Sequence, residues 1–289
     1  MKIALYSLVH DNDTLDIVSR IIDFFSDKDT LVQVEKVLLT HFTSATAIAF
    51  ESHDDIDAAT DVFFAVGGDG TVLRALKYVR ESGIPVIGIN TGRLGFLATV
   101  QPDEVAATLQ DIVNNNYTTE ARSVLEIKTE PPHQELEMFP FALNEISIAR
   151  ENTTSMITIH TQVDDAYLNV YWADGLVIAT PTGSTGYSLS SGGPIISPQS
   201  KNVVLTPIAP HNLNARPLVV ADDVTIKTHV EGRGESHVIS LDARLYSIPM
   251  NSTITIKKTS NPMIFIRSNK HSFFDTLRNK LLWGQDKRN

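Results

Sequence analysis

The sequence predicts an α/β N-terminal domain with a parallel sheet, then an all-β, β-sandwich-like domain, then a C-terminal helix packing back on the first domain. Three observations predict this. Through the first third, apolar strand-like runs alternate with helical patterns, which implies a parallel sheet with helices on its faces. Near Tyr117 the helical period gives way to apolar–polar alternation, the mark of half-buried strands. At the end of the chain a capped helical pattern returns. The expected divisions are residues 1–117, 118–268 and 269–289.

The elements follow in order. "KIALYSLV" reads as a buried strand, and Leu15, Val18, Ile22 and Phe25 recur at helical spacing after it. "VQVEKVLLTHF" fits helix and strand equally. "DVFFAV" is a second buried strand. Val72, Leu76 and Val79 mark one helix face behind it, and "PVIGIN" is the next strand. Pro102, Asp103 and Glu104 open another helix, since Pro and acids suit a first helical turn. In the second domain the alternation runs through Ile157, Ile159, Thr161 and Val163, then Val224, Ile226, Thr228 and Val230, then Ile254 and Ile256. Ser272 with Asp275 reads as a capping box. Phe274, Leu277 and Leu281 share a helical face, and Gly284 ends the helix.

Composition narrows the function. A chain of 289 residues, 42% hydrophobic and 20% charged, is an ordinary globular protein of about two domains. Its net charge of -10 and lack of a basic stripe argue against nucleic acid or a membrane surface as partner. With no cysteine, disulfides, thiolate zinc sites and cysteine nucleophiles are excluded. The apolar start is too short for a secretory signal, and no run reaches the length of a membrane span. A cytoplasmic location is expected. The nine histidines include no HExxH pair, so no protein-bound metal site is expected.

Four stretches carry chemistry. The first is "GGDGT". Gly67, Gly68 and Gly70 form a turn from a buried strand into a helix, where open sheets place ligands and where free amides favour anions. A plain strand-to-helix turn would look similar. The pattern lacks the lysine of a Walker loop and the third spaced glycine of a dinucleotide fingerprint. It holds Asp69 instead. A carboxylate beside phosphate makes sense if it accepts the proton of a hydroxyl about to be phosphorylated. The second stretch is "NTGRLGFL". Asn90, Thr91 and Gly92 make a loop beside the first, Gly95 permits close approach, and Phe96 offers an aromatic face.

The third stretch is "FALNEISIAR", where Asn144 and Glu145 interrupt an apolar strand. Such a pair is costly unless satisfied. It is a satisfied strand-end pair, a fork for a ribose or base edge, or, through Glu145, a second acid. The fourth is "WADGLVIATPTGSTGYSLSSGGPI". A buried strand enters a loop of Thr182, Gly183, Ser184, Thr185, Gly186 and Tyr187. Its spacing is not that of a serine-hydrolase elbow, and its small hydroxyls suit a nucleoside.

Taken together, from about residue 61 to 266, these stretches resemble the bacterial ATP-NAD kinase family: GGDGT at 67–71, NTGRLGFL at 90–97, LNE at 143–145 and DGLVIATPTGSTGYSLSSGGP at 174–194. The resemblance implies a NAD kinase, with NAD and ATP as partners and Mg²⁺ accompanying the nucleotide. It puts the general base on Asp69 and the dinucleotide contacts on Asp69, Gly70, Phe96, Asn144, Glu145, Thr182, Thr185, Gly186 and Tyr187. Asp174 is implied to reach the nicotinamide end across a subunit interface, in a homodimer or homotetramer. The phosphates fall to Gly67, Gly68, Gly70, Thr71 and Arg74. Three positions depart from the family's habit: Ala173, Gly186, and Asp242-Ala243-Arg244 where Asp-Gly-Gln is common. Arg244 is expected to strengthen anion binding or to replace a lost contact. A lipid kinase would carry a GTGND segment in place of NTGRLGF. A non-catalytic NAD sensor would have less need of Asp69.

Overall fold

The structure, a computed structural model, describes residues 1–26, 28–43, 47–92, 94–152, 154–267 and 272–283. Two compact units form: Met1–Ala121 with Met263–Asn289, and Arg122–Pro262.

The first unit opens with β1 (Lys2–Tyr6), α1 (Asn12–Ser26), β2 (Leu31–Glu35), α2 (Lys36–Leu39), β3 (Ile48–Phe50) and β4 (Val62–Val66). Next come α3 (Asp69–Val79), β5 (Val86–Ile89), β6 (Ala98–Val100), α4 (Val105–Val113) and β7 (Thr118–Arg122). The second unit contains β8 (Leu125–Glu130), α5 (Gln134–Met138), β9 (Phe141–Ala142), β10 (Glu145–Arg150), β11 (Ile157–Val163), β12 (Ala166–Ala173) and β13 (Gly175–Ala179). It continues with α6 (Tyr187–Ser190), β14 (Asn202–Ile208), β15 (Leu218–Ala221), β16 (Ile226–Glu231), β17 (Ser236–Leu241), β18 (Arg244–Pro249) and β19 (Thr253–Lys258). The chain then rejoins the first unit through β20 (Met263–Arg267) and α7 (Phe273–Leu281).

Among the described residues the first sheet runs β3-β2-β1-β4-β5-β20-β7, with β6 beside β5. Strands β1 to β5 pair in parallel. All five residues of β4 are buried, because helices cover both faces of the sheet. Helix α1 buries Thr14, Ile17, Val18, Ile21, Ile22 and Phe25, the 3.6-residue face its sequence predicts. The ambiguous run after residue 30 is both things in turn. Val32, Gln33 and Val34 are buried in β2, and the Glu35 carboxylate accepts from Leu38 N–H at 3.0 Å to start α2.

The second unit is a sandwich of two antiparallel sheets, β15-β14-β13-β10-β17-β18 and β12-β11-β16-β19-β8-β9. Its core takes Ile146, Ile148 and Ile178 from one sheet and Ile157, Ile159 and Ile256 from the other. Strand β13 is buried throughout rather than alternately, because Ile196 packs with Val177 and Ala179 on its other side. Among the described residues no helix is long and apolar enough to cross a membrane.

The structure departs from the sequence expectation in three respects. Strands β7 and β20, placed by pattern in the second domain, belong to the first sheet. Alternation reports that a strand has faces, not which sheet it joins. The second unit carries the short helices α5 and α6, too brief to show a period. Phe274 is 61% exposed, while Thr276 and Leu277 are buried. The buried face of α7 is turned one residue from the predicted one, toward Phe273. The Ser272–Asp275 capping box forms as expected. Gly284 and Arg93 lie outside the described residues.

Candidate functional site

The predicted residues gather into two clusters, one in each unit. In the first, β4 ends at a backbone turn that needs glycine. Gly67 has φ +146°, and a Cβ there would lie 2.4 Å from Thr71 Oγ1. Gly67 N–H donates to Ile89 O at 2.8 Å, so the turn hangs from the β4–β5 pair. Gly68 caps α3 without any side-chain acceptor, leaving helix N-terminal amides for an anion. Strand order changes direction between β1 and β4, the place where open parallel sheets put ligands. Thr71 is buried. Arg74 is exposed one turn along α3 and acts electrostatically on the Tyr6 hydroxyl. Burial, with Tyr78 beside it, pushes that hydroxyl up to about 12.

Asp69 is the first residue of α3 and turns toward the loop after β5. Its Oδ1 accepts from Leu97 N–H at 2.9 Å and Ala98 N–H at 3.0 Å, and its Oδ2 accepts from Phe96 N–H at 2.9 Å. A carboxylate has about four lone-pair positions, so among the described residues one on Oδ2 stays open. Gly95 is glycine for this reason: a Cβ would sit 1.9 Å from Asp69 Oδ1. Fully buried Asn90 holds the base of the same loop, accepting from Gly92 N–H at 2.6 Å. The sequence places Asp69 and this loop side by side. It does not show that the acid clamps the loop.

The second cluster lies at one end of the β13-β10-β17 group. Antiparallel pairing sets the start of β10 beside the end of β13 and the end of β17, with Glu145 opposite Ala179 and Ile146 opposite Leu241. Asp242, in a left-handed turn at φ 52°, accepts from the N–H groups of Leu143, Asn144 and Glu145 at 3.0, 2.8 and 3.2 Å. Burial raises the Asp242 pKa and these amides pull it down. Thr180 Oγ1 donates to Leu143 O at 2.7 Å and accepts from Gly183 N–H at 3.1 Å, tying the threonine-rich loop to the same segment. Sequence reasoning missed Thr180 and this role of Asp242. No local signal links Asp242 to positions almost a hundred residues earlier.

Glu145 is only 8% exposed, and burial, then the charge of Asp242, pushes its pKa up to about 8. Tyr187 N–H acts on the Glu145 carboxyl and lowers its pKa; among the described residues, Glu145 Oε2 and Asn144 Oδ1 are buried without a hydrogen-bond partner. Unpaired buried oxygens are costly unless a ligand satisfies them. The loop hydroxyls are mostly occupied already. Thr182 Oγ1 accepts from Arg122 at 3.3 Å, Thr185 Oγ1 donates to Thr182 O at 3.2 Å, and Ser184 Oγ donates to Pro181 O at 2.7 Å. They hold the loop's shape. Gly186 sits within reach of Glu145, and Tyr187 is 44% exposed.

Two predicted residues stand apart from this cluster. Asp174 lies at the opposite end of β13, roughly 17 Å away by strand rise, and pairs with Arg150 at 2.7 Å. Arg244 donates to Phe139 O at 2.7 Å and to Phe141 O, and covers the Phe139 ring at 4.4 Å. These bonds give Arg244 a scaffold role, holding the segment before β10.

A pH test follows from Glu145. The folded chain keeps a proton that the unfolded chain releases from about pH 4.5 upward. The stability this group contributes is full below that pH and is lost as pH rises through about 8. Each tenfold difference in proton affinity between the folded and unfolded chain is worth about 1.4 kcal/mol. Glu145→Gln is expected to unfold at the wild-type temperature at pH 4.5 and several degrees higher at pH 8.5, measured by thermal unfolding. Parallel curves for the two proteins would refute the assignment.

Comparison with known proteins joins the clusters to a class, since the matching family models both describe kinases. The ATP-NAD kinase N-terminal domain model matches residues 14–117, and the ATP-NAD kinase C-terminal domain model matches residues 143–268. A NAD kinase of Flavobacterium psychrophilum is 48% identical across 100% of both chains. A NAD kinase from Archaeoglobus fulgidus, solved in complex with ATP, is 27% identical at TM-score 0.76, covering 98% of this chain and 99% of that one. Yeast NADH kinase, solved with NADH, shares the fold at TM-score 0.89 and 22% identity, over 99% and 89% of the two chains. The chain belongs to the NAD kinase family.

Proposed function

We propose that this chain transfers the γ-phosphoryl group of ATP to the 2′-hydroxyl of the adenosine ribose of NAD, with Asp69 as general base. The observation that carries the reading is the Asp69 carboxylate, fixed by three amides yet open at one position of Oδ2, at the mouth of a glycine turn with free helix amides. In the step, the ribose oxygen forms a bond to the γ-phosphorus while the β–γ bridging bond breaks. ADP leaves with that electron pair, and the hydroxyl proton passes to Oδ2. Such transfers go through loose transition states, so the protein mainly positions and neutralises. Gly67, Gly68, Gly70, Thr71 and Arg74 receive the phosphates in this reading.

Asn144 Oδ1 and Glu145 Oε2 supply acceptors for hydroxyl or amino groups of the adenosine, and their lack of partners among the described residues supports that role. With a pKa near 8, Glu145 also carries a proton to donate at neutral pH. Phe96 and Tyr187 supply aromatic surface, and Thr182, Thr185 and Gly186 shape the adenine loop. Among the described residues no group of three or more His, Asp or Glu side chains is placed to hold a metal. Mg²⁺ is proposed to enter with the triphosphate, where it would offset phosphate charge. Asp174 is proposed to act in a partner subunit's site, as its distance from the Asn144–Glu145 pair suggests.

The test is direct. Purified protein is incubated with NAD and Mg-ATP, and NADP is detected with an NADP-specific dehydrogenase. Formation of NADP supports the reading. No NADP with ATP, other nucleoside triphosphates or polyphosphate overturns it.

A further inference from the structure

We propose that Phe273 and Lys280 of the C-terminal helix α7 are positioning residues for the phosphoryl-transfer step. They hold the Phe96 ring and, through its backbone, aim the carboxylate of Asp69. This inference rests on the role proposed for Asp69.

Helix α7 is anchored at its start and along its buried face. Ser272 and Asp275 close the helix start with Asp275 N–H donating to Ser272 Oγ at 3.2 Å and Ser272 N–H donating to Asp275 Oδ2 at 3.1 Å. Thr276 and Leu277 are buried within the first unit. Residues seven apart lie on one helix face two turns away from each other. Phe273 and Lys280 have that spacing, and both meet Phe96. The Phe273 and Phe96 ring centroids are 6.0 Å apart at 44°, and Lys280 Nζ stands 5.4 Å over the Phe96 ring. Ring pairs and cation–ring contacts of this kind favour one orientation over others.

Phe96 itself is half-buried and follows a loop containing Gly92 and Gly95, which do little to stiffen it. Its N–H is the donor that holds Asp69 Oδ2, the oxygen with the open position. The contact from α7 therefore ends on the atom assigned to take the proton. The other two amides of the clamp hold Oδ1, so Phe96 N–H is the clamp donor that binds Oδ2 directly. Small displacements at a reacting group cost large factors in rate, so a distant contact that sets this angle acts on catalysis.

The test has two independent readouts on the full chain. The first is amide exchange of the peptide spanning residues 90–100. Phe273→Ala is expected to speed it at least tenfold, Phe273→Tyr to leave it unchanged, and Asn279→Ala, on the exposed side of α7, to do nothing. The second is kinetic. Phe273→Ala is expected to lower kcat about tenfold, with KM for ATP within twofold and recovery in Phe273→Tyr. Lys280→Met should show a smaller loss. The double variant Phe96→Ala/Phe273→Ala should be no slower than Phe96→Ala alone, because both act through one ring. Unchanged exchange at 90–100, or a Phe273→Ala variant that loses only thermal stability at wild-type kcat, overturns the proposal. Additive losses in the double variant do the same. Phe273→Leu replaces the alanine variant if that fails to fold. Because exchange is read without turnover, a failure of the Asp69 assignment leaves it intact and is told apart.

Discussion

Asp69→Asn is expected to lower kcat roughly 10³-fold, within the range ascribed to general-base catalysis, while KM for NAD stays near wild type. The geometry explains why the loss is so large for so small a change. An amide oxygen placed at Oδ1 can still accept from Leu97 and Ala98 N–H. The NH₂ group then falls at Oδ2, facing the N–H of Phe96, donor against donor. The variant loses the proton acceptor and one arm of the clamp together. Steady-state kinetics at saturating ATP and NAD measures the effect, with thermal unfolding run alongside. An Asn variant turning over at near the wild-type rate would remove Asp69 from the role of base.

Gly95→Ala is expected to reduce kcat about a hundredfold, by a different route. The new Cβ would lie 1.9 Å from Asp69 Oδ1 and 2.7 Å from its Cγ, so either the carboxylate turns or the loop moves. Both outcomes break hydrogen bonds to a charged acceptor, each worth about 1.5–3 kcal/mol. Stability should fall with activity. Gly92→Ala provides the contrast, because nothing lies within 4 Å of a Cβ there. That variant should keep both activity and melting temperature. Equal activities in the two alanine variants would show that the clamp does not orient Asp69.

Much of the fold is legible because burial leaves a period in the sequence. The run VFFAV is apolar throughout since helices cover both faces of its sheet, and Ile157, Ile159 and Thr161 alternate since one face of theirs meets the sandwich core. Pattern assigns strand β20 to the wrong domain. Period encodes exposure, and sheet membership depends on where the chain returns after some 140 intervening residues. The rotation of α7 escapes the sequence for a related reason. Phe273 and Phe274 are chemically identical neighbours about 100° apart on the helix, and the packing of α7 through Thr276, Leu277 and the Phe96 ring selects which one is covered.

The candidate site divides along the same line. Asp69, the glycines around it, and the Asn144–Glu145 pair stand out as residue types that ordinary strands and turns do not need. Their partners do not stand out. The amides that fix Asp69 belong to Phe96, Leu97 and Ala98, and backbone amides are present at every non-proline position, so no sequence pattern marks them. Arg244 likewise stands out by its charge, while the carbonyls of Phe139 and Phe141 that it holds carry no mark in the sequence.

By itself the sequence determined the two kinds of domain, the glycine turn with its acid, and the resemblance that named a family. These are set by local period and by residues whose chemistry is unusual for their surroundings. Only the tertiary structure decided that Asp69 has one free acceptor position, that Glu145 holds its proton to about pH 8, and that the last helix meets the loop that clamps Asp69. Those properties depend on distances between segments far apart in the chain and on the exclusion of water around them. Neither exists before the chain has folded.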